Sequence, residues 1–204
     1  MKADYTLLVN KANPINNDYI PLDLVEIHEP SGNKADPNYI NMLNKEAYIN
    51  FKNMQKDALQ EGYEIFIDSS YRSYEYQQRV YEASVIENGL EHTKNYCAIP
   101  GTSEHQTGLA IDIISRRNGI MIEDSKEDDP ELMWCMDNSY NYGFILRYPK
   151  NKESITGYSF EPWHYRYVGK EASIYMHNNG ITTLEEFTYE KEKLNKGISR
   201  SRKR

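Results

Sequence analysis

The sequence predicts an α+β domain in which a central antiparallel sheet is flanked by helices. Three observations carry that prediction. Short β-rich runs interleave with longer stretches of helical period. An Asn118-Gly119 pair between two apolar runs marks a tight antiparallel hairpin. No internal repeat or low-complexity linker divides the 204 residues, a length sufficient to bury one sizeable core.

Residues 1–35 mix apolar runs with Asn, Pro and Asp and lack a strong period, so they read as an extended, wrapping segment. A helix is expected from 37 to about 61. Asp36 is its N-cap and Pro37 suits the first helical position. Ile40, Leu43, Ala47, Phe51, Met54 and Ala58 recur at helical spacing, and Gly62 closes the helix. Residues 64–68 follow as a short strand. Ser73 opens a second helix with Tyr76, Val80, Ala83 and Ile86 on one face and Gly89 near its end.

Residues 91–102 read as a loop, and 109–114 as a strand leading through Asn118-Gly119 into Ile120, Met121 and Ile122. The acidic stretch 123–129 lacks the ligand spacing of a calcium loop and reads as solvated. Asp129-Pro130 starts a third helix that ends at Gly143. Residues 144–148 and 160–168 form two strands of a hairpin. Two short helices finish the chain, the last opened by a Thr183-x-x-Glu186 capping box. The basic run 196–204 reads as a disordered tail, leaving 1–195 as a single domain.

Composition narrows the function. A net charge of −7 argues against nucleic acid as the main partner, since phosphate binding needs clustered Lys and Arg. No apolar run approaches the ~20 residues that span a bilayer. Cys97 and Cys135 lack Cys-x-x-Cys spacing, so they read as single buried thiols, although they are able to pair. The abundant tyrosines, Tyr76 and Tyr81 among them, fit core packing better than a carbohydrate-binding surface.

The chemistry concentrates in two segments. The first is Ser103-Glu104-His105-Gln106-Thr107-Gly108-Leu109-Ala110-Ile111-Asp112, the second Glu161-Pro162-Trp163-His164. Strand alternation places Ala110 and Asp112 on one face and Leu109 and Ile111 on the other. A charged Asp112 among isoleucines needs a partner, and a metal ion is one. His105, Asp112 and His164 offer three ligands and leave a coordination position open, as in catalytic zinc sites. Glu161 is a spare carboxylate suited to general-base work, and Trp163 beside it is able to raise its pKa. Each residue has a plainer reading alone: a capping His105, a salt-bridged Asp112, a core His164. The combination favours the metal, and a set of two histidines and one aspartate would also accept manganese, cobalt or nickel.

Together, Ser103-x-His105-x6-Asp112 and Glu161-x-x-His164 resemble the zinc D-alanyl-D-alanine carboxypeptidases of the VanY type, with their VanXY relatives. The resemblance extends through Leu8-Val9-Asn10-Lys11-x-Asn13-Pro14, Tyr71-Arg72-Ser73, Tyr142-Gly143-Phe144-Ile145-Leu146-Arg147-Tyr148-Pro149 and Tyr165-Arg166-Tyr167-Val168-Gly169. It implies the hedgehog-like D-Ala-D-Ala metallopeptidase fold and one catalytic Zn2+ on His105, Asp112 and His164. Glu161 would be the base, and Arg72 would stabilise the oxyanion. Ser103, Gln106, Arg72 and Trp163 would contact substrate. Gln77 is able to support the site from its helix but reads more simply as a surface glutamine.

The implied substrate is a peptidoglycan stem peptide or its precursor ending in D-Ala-D-Ala, with a role in wall remodelling or glycopeptide resistance. Bifunctional D,D-dipeptidase/carboxypeptidase, L,D-carboxypeptidase and endolysin peptidase activities share the motif. A non-catalytic wall-binding module is disfavoured by the intact Glu161. The expected state is a monomer or weak dimer. The chain would be cytoplasmic if Met1 is the native start, and otherwise a soluble extracytoplasmic domain of an exported or anchored bacterial protein.

Overall fold

The computed structural model describes residues 3–29, 39–122 and 126–201, with side chains described as far as residue 194. In chain order the elements are β1 (Leu24–Glu26), β2 (Met42–Asn44), α1 (Lys45–Gln60), β3 (Glu64–Ser69), α2 (Tyr74–Asn88) and α3 (Leu90–Tyr96). Then come β4 (Ala110–Arg117), β5 (Ile120–Ile122), α4 (Pro130–Asn138), β6 (Phe144–Leu146), α5 (Glu153–Thr156), β7 (His164–Tyr167), α6 (Lys170–Asn178) and α7 (Leu184–Ser201). The main sheet is antiparallel in the order β3-β4-β7-β6, with β5 paired to the far end of β4. The fold class is therefore α+β, as expected.

Period-two alternation gives the sheet two different faces. Ile65, Ile67, Ile111, Ile113, Tyr165 and Tyr167 join Ala47, Phe51, Met54 and Ala58 of α1 and Leu132 and Cys135 of α4 in the main core. The other face carries Ala110 and Asp112 on β4 and His164 and Arg166 on β7, which are register partners: Ala110 opposite Arg166, Asp112 opposite His164. A second cluster, Ile145, Val168, Met176, Leu184 and Phe187, seats α6 and α7.

Several elements depart from the sequence reading. Helix α1 starts at Lys45, because the Asn44 side chain caps it by accepting from the backbone N–H groups of Glu46 and Ala47. Leu43 reaches the core from strand β2, and Ile40 is exposed, so two positions of the apparent helical period are not helical. Asp36 and Pro37 lie outside the described residues. Helix α2 keeps Tyr76 and Val80 half-buried as expected but buries Gln77 and leaves Ala83 and Ile86 exposed, because its inner face borders a polar cleft rather than the core.

The expected loop after it contains α3. Gly89 turns the chain with a positive φ, and Thr93 ties α3 back through bonds to the Gly89 carbonyl and Ser84 hydroxyl. Asp129, read as part of a solvated loop, instead joins Glu131 in gripping Arg117 at 2.6 Å each. Residues 123–125 lie outside the described residues. The final helix, α7, is long at 18 residues and runs into the basic stretch, reaching Ser201. Its Thr183–Glu186 capping box forms as the sequence indicates.

Candidate active site

The site lies where β4, β7 and the turn before β4 converge. Glu104–Thr107 form a 3-10 turn closed by Gly108 in the left-handed region, at φ 66°. A Cβ on Gly108 would crowd a Leu24 methyl at 2.7 Å and the Pro21 ring at 3.1 Å, and the left-handed backbone already favours glycine there. The turn is zipped to the end of β3 and the segment beyond it: the Arg72 N–H donates to the His105 carbonyl, and His105 Nδ1 lies 2.6 Å from the Ser70 carbonyl. Donation from Nδ1 leaves Nε2 as the free ligand atom of His105.

Opposite it, His164 Nδ1 lies 2.9 Å from Asp112 Oδ1, while His105 Nε2 is 3.3 Å from Asp112 Oδ2. One ligand atom from each of His105, Asp112 and His164 falls within 4.8 Å of the others, so the three converge on a common centre. The donor set and spacing fit a divalent metal. The buried, unpartnered His105 Nε2 reinforces that fit, since a polar atom there needs a partner.

Glu161 stands just outside this triangle, its Oε2 3.8 Å from His164 Nδ1. The turn through Pro162 and Trp163 brings it there: the His164 N–H donates to the Glu161 carbonyl, and the Glu161 N–H donates to the Tyr148 carbonyl. Burial pushes the Glu161 carboxyl up to about 8; Asp112 adds to the rise, while His164 and Arg72 oppose it. A dication in the triangle would oppose that rise and pull the value back down. Burial also disfavours the charged Asp112, but both histidines outweigh it and hold that carboxyl well below the usual range. His105 is lowered to about 4 by burial and then Arg72. Burial opposes the charge on His164 as well, yet Asp112 and Glu104 raise it to about 9.

A cleft of about 250 Å³ opens above these groups, lined by Arg72, Gln77, Ser103, Tyr148, Tyr158 and Trp163 among others. Arg72 Nη2 lies 3.6 Å from Asp112 Oδ2, which places the guanidinium beside the metal triangle. Ser103 and Trp163 line the cleft. Gln106 does not: it is fully buried outside the cleft lining, and its amide donates to the Asn16 carbonyl. Its place is taken by Gln77, read from sequence as a surface residue. Gln77 Nε2 donates to the Ala98 carbonyl, and its buried Oε1 has no partner. Both cysteines are free thiols, and Cys97 lines the cleft beside Gln77.

The sequence reading also missed Glu104 as a member of the site. Its carboxylate, fully buried, accepts from Arg147 Nε at 2.8 Å and Arg166 Nη1 at 2.7 Å. Burial alone would raise this carboxyl, but the two arginines outweigh it and hold it well below its ordinary value. The available signal was an arginine directly after the apolar strand β6 and another inside the aromatic strand β7, since an arginine buried in either place demands an anion nearby.

The family model described as D-alanyl-D-alanine carboxypeptidase, VanY, matches residues 40–170. The chain belongs to the VanY carboxypeptidase family. It is 45% identical over 188 residues to the Bacillus subtilis (strain 168) protein named "Putative carboxypeptidase YodJ", covering 91% of this chain and 67% of that protein. The chain thus spans about two thirds of the length of the curated relatives it matches. The solved structure of LdcB, an LD-carboxypeptidase, superposes with a TM-score of 0.76 at 43% identity, over 89% of this chain and 84% of LdcB. VanY D,D-pentapeptidase from a VanB-type resistance cassette, a glutamate-to-alanine mutant in complex with Zn(II), gives 0.74 at 33%, over 90% and 98%. VanYB with D-alanine-D-alanine gives 0.74 at 32%, over 91% and 97%. Among the described residues no helix is long and apolar enough to cross a membrane.

Proposed function

We propose that this chain is a zinc-dependent D,D-carboxypeptidase that removes the terminal D-alanine from peptidoglycan stems ending in D-Ala-D-Ala. The observation that carries the reading is the pairing of a convergent His105–Asp112–His164 triangle with a buried carboxyl, Glu161, that stands just outside it, 3.8 Å from His164 Nδ1. That combination separates a hydrolytic site from a structural metal knot.

His105 Nε2, Asp112 and His164 Nδ1 would hold the zinc ion, which would supply Lewis acidity for a peptide carbonyl and for water. Glu161 takes the proton from the attacking water. It then passes that proton to the amine nitrogen as the C–N bond breaks. A buried carboxyl beside the metal ligands but not among them is placed both to accept and to return a proton. Arg72 faces the carbonyl oxygen as negative charge grows there, a contribution that is often the largest in such sites. The Ser103 hydroxyl and the unpartnered Gln77 Oε1 offer hydrogen bonds to the substrate end, and Trp163 offers apolar contact.

A second reading, L,D-carboxypeptidase, is favoured by one observation: LdcB is more similar to this chain than VanYB is, in both identity and TM-score. The test is D-alanine release, followed by mass spectrometry, from three substrates with the zinc-loaded protein. They are a pentapeptide stem ending in D-Ala-D-Ala, a tetrapeptide stem ending in a single D-Ala, and the free dipeptide. Release from the pentapeptide supports the D,D reading. Release from the tetrapeptide alone replaces it with the L,D reading, and release from both pentapeptide and dipeptide makes the enzyme bifunctional.

A further inference from the structure

His164 presents two different nitrogens to two different carboxylates. Its Nδ1 faces Asp112 and Glu161 in the metal triangle. Its Nε2 is buried without a hydrogen-bond partner, and 3.7 Å away lies Glu104 Oε2, also buried without one. Two orphaned buried atoms of complementary chemistry facing each other at this distance are one small ring movement from a hydrogen bond. The other oxygen of Glu104 is already committed, since Oε1 accepts from both Arg147 and Arg166. Glu104 therefore has one acceptor left, and it points at the imidazole.

The support extends outward. Arg147 also makes a two-pronged contact with Glu185 at the start of α7, at 2.9 and 2.7 Å, and Asn10 donates to the same carboxylate at 2.9 Å. Arg166 in turn donates to the Tyr5 and Leu7 carbonyls of the amino-terminal segment. A chain of contacts thus runs from the amino-terminal segment and α7, through two fully buried arginines, to the distal nitrogen of a metal ligand.

We infer that Glu104 is a positioning residue that keeps the His164 proton on Nε2 and so leaves Nδ1 free for the metal, and that Glu185 acts through Arg147 to hold Glu104 in that pose. The inference rests on the metal centre proposed above and is independent of which peptide is cleaved. Its sharpest consequence concerns Glu104→Gln, a change of nearly equal shape. The amide oxygen must face the two guanidinium groups, which only donate. The amide NH2 is then turned toward His164 Nε2. A donor there demands a lone pair on Nε2 and drives the proton to Nδ1, the atom the metal needs.

The experiment combines zinc affinity, by chelator competition, with long-range 1H–15N spectra of the histidine rings. In the zinc-loaded native protein, His164 should carry its proton on Nε2 and bind through Nδ1. Glu104→Gln should weaken zinc about 10- to 100-fold, the range for groups that orient metal ligands. Glu185→Gln should weaken it in the same direction by less. A native spectrum with the His164 proton on Nδ1 would overturn the inference without any variant, so a Glu104→Gln protein that fails to fold leaves it testable. Unchanged zinc affinity in a folded Glu104→Gln, with only its melting temperature lowered, would reduce Glu104 to a packing role and also overturn it. Neither readout involves substrate, so the wrong peptide specificity would leave this result standing.

Discussion

Arg72→Gln separates two roles that a positive charge beside a metal site can play. Arg72 Nη2 lies 3.6 Å from Asp112 Oδ2. At that distance and an effective dielectric near 20, their gross Coulomb attraction is about 5 kcal/mol. In the metal-free protein this contact partners Asp112, so the substitution should lower the melting temperature of that form. Zinc binding reverses the sign. A dication takes over Asp112, while the guanidinium competes for the same carboxylate and repels the metal. Zinc affinity in Arg72→Gln should therefore hold or tighten. Catalysis should move the other way. Losing one donor to a developing oxyanion typically costs about 10²- to 10³-fold in kcat, or about 2.7–4 kcal/mol. The assay is kcat and KM at saturating zinc alongside zinc competition on the same preparation. Weaker zinc binding, with activity restored by excess zinc, would show that Arg72 serves the metal site's structure, and the oxyanion assignment would fall.

Glu161→Gln should keep zinc and lose at least about 10²- to 10⁴-fold in kcat, the range for a general base, and metal analysis with single-turnover kinetics checks both halves. Because His164 is raised to about 9 in the metal-free protein, zinc displaces a proton when it binds near neutrality. Apparent zinc affinity should then climb about tenfold per pH unit between about 6 and 8; a flat profile would refute the assignment of His164 as a ligand. Gln77→Met keeps volume but removes both the free acceptor and the bond to the Ala98 carbonyl, so KM should rise at least about three- to tenfold with kcat little changed, together with a lower melting temperature. Asn44→Ala removes the α1 cap and should cost about 0.5–2 kcal/mol in denaturant unfolding, with zinc affinity unaltered.

The fold class and the residues that converge at the candidate site were legible in the sequence. His105, Asp112, Glu161 and His164 were legible because a short motif keeps local geometry: alternation along β4 fixes which face Asp112 shares, and the turn at Pro162 keeps Glu161 and His164 together. The Asn118-Gly119 hairpin and the Thr183–Glu186 capping box were legible for the same reason, since each is closed by bonds between near neighbours. Only the tertiary structure decided which polar residues face the cleft. Gln77 and Gln106 look alike in sequence, yet one is turned into the cleft by α2 while the other is fastened to Asn16 far along the chain. The start of α1 was misplaced because Ile40 and Leu43 share a helical spacing with Ala47, whereas pairing with β1 makes Met42–Asn44 a strand. Glu104, Arg147, Arg166 and Glu185 form one buried network from positions scattered across the chain. Periodicity reports which side of an element is apolar. It cannot report which distant charge will meet another, because that is set by packing between elements, where a buried ion persists only beside its counter-ion.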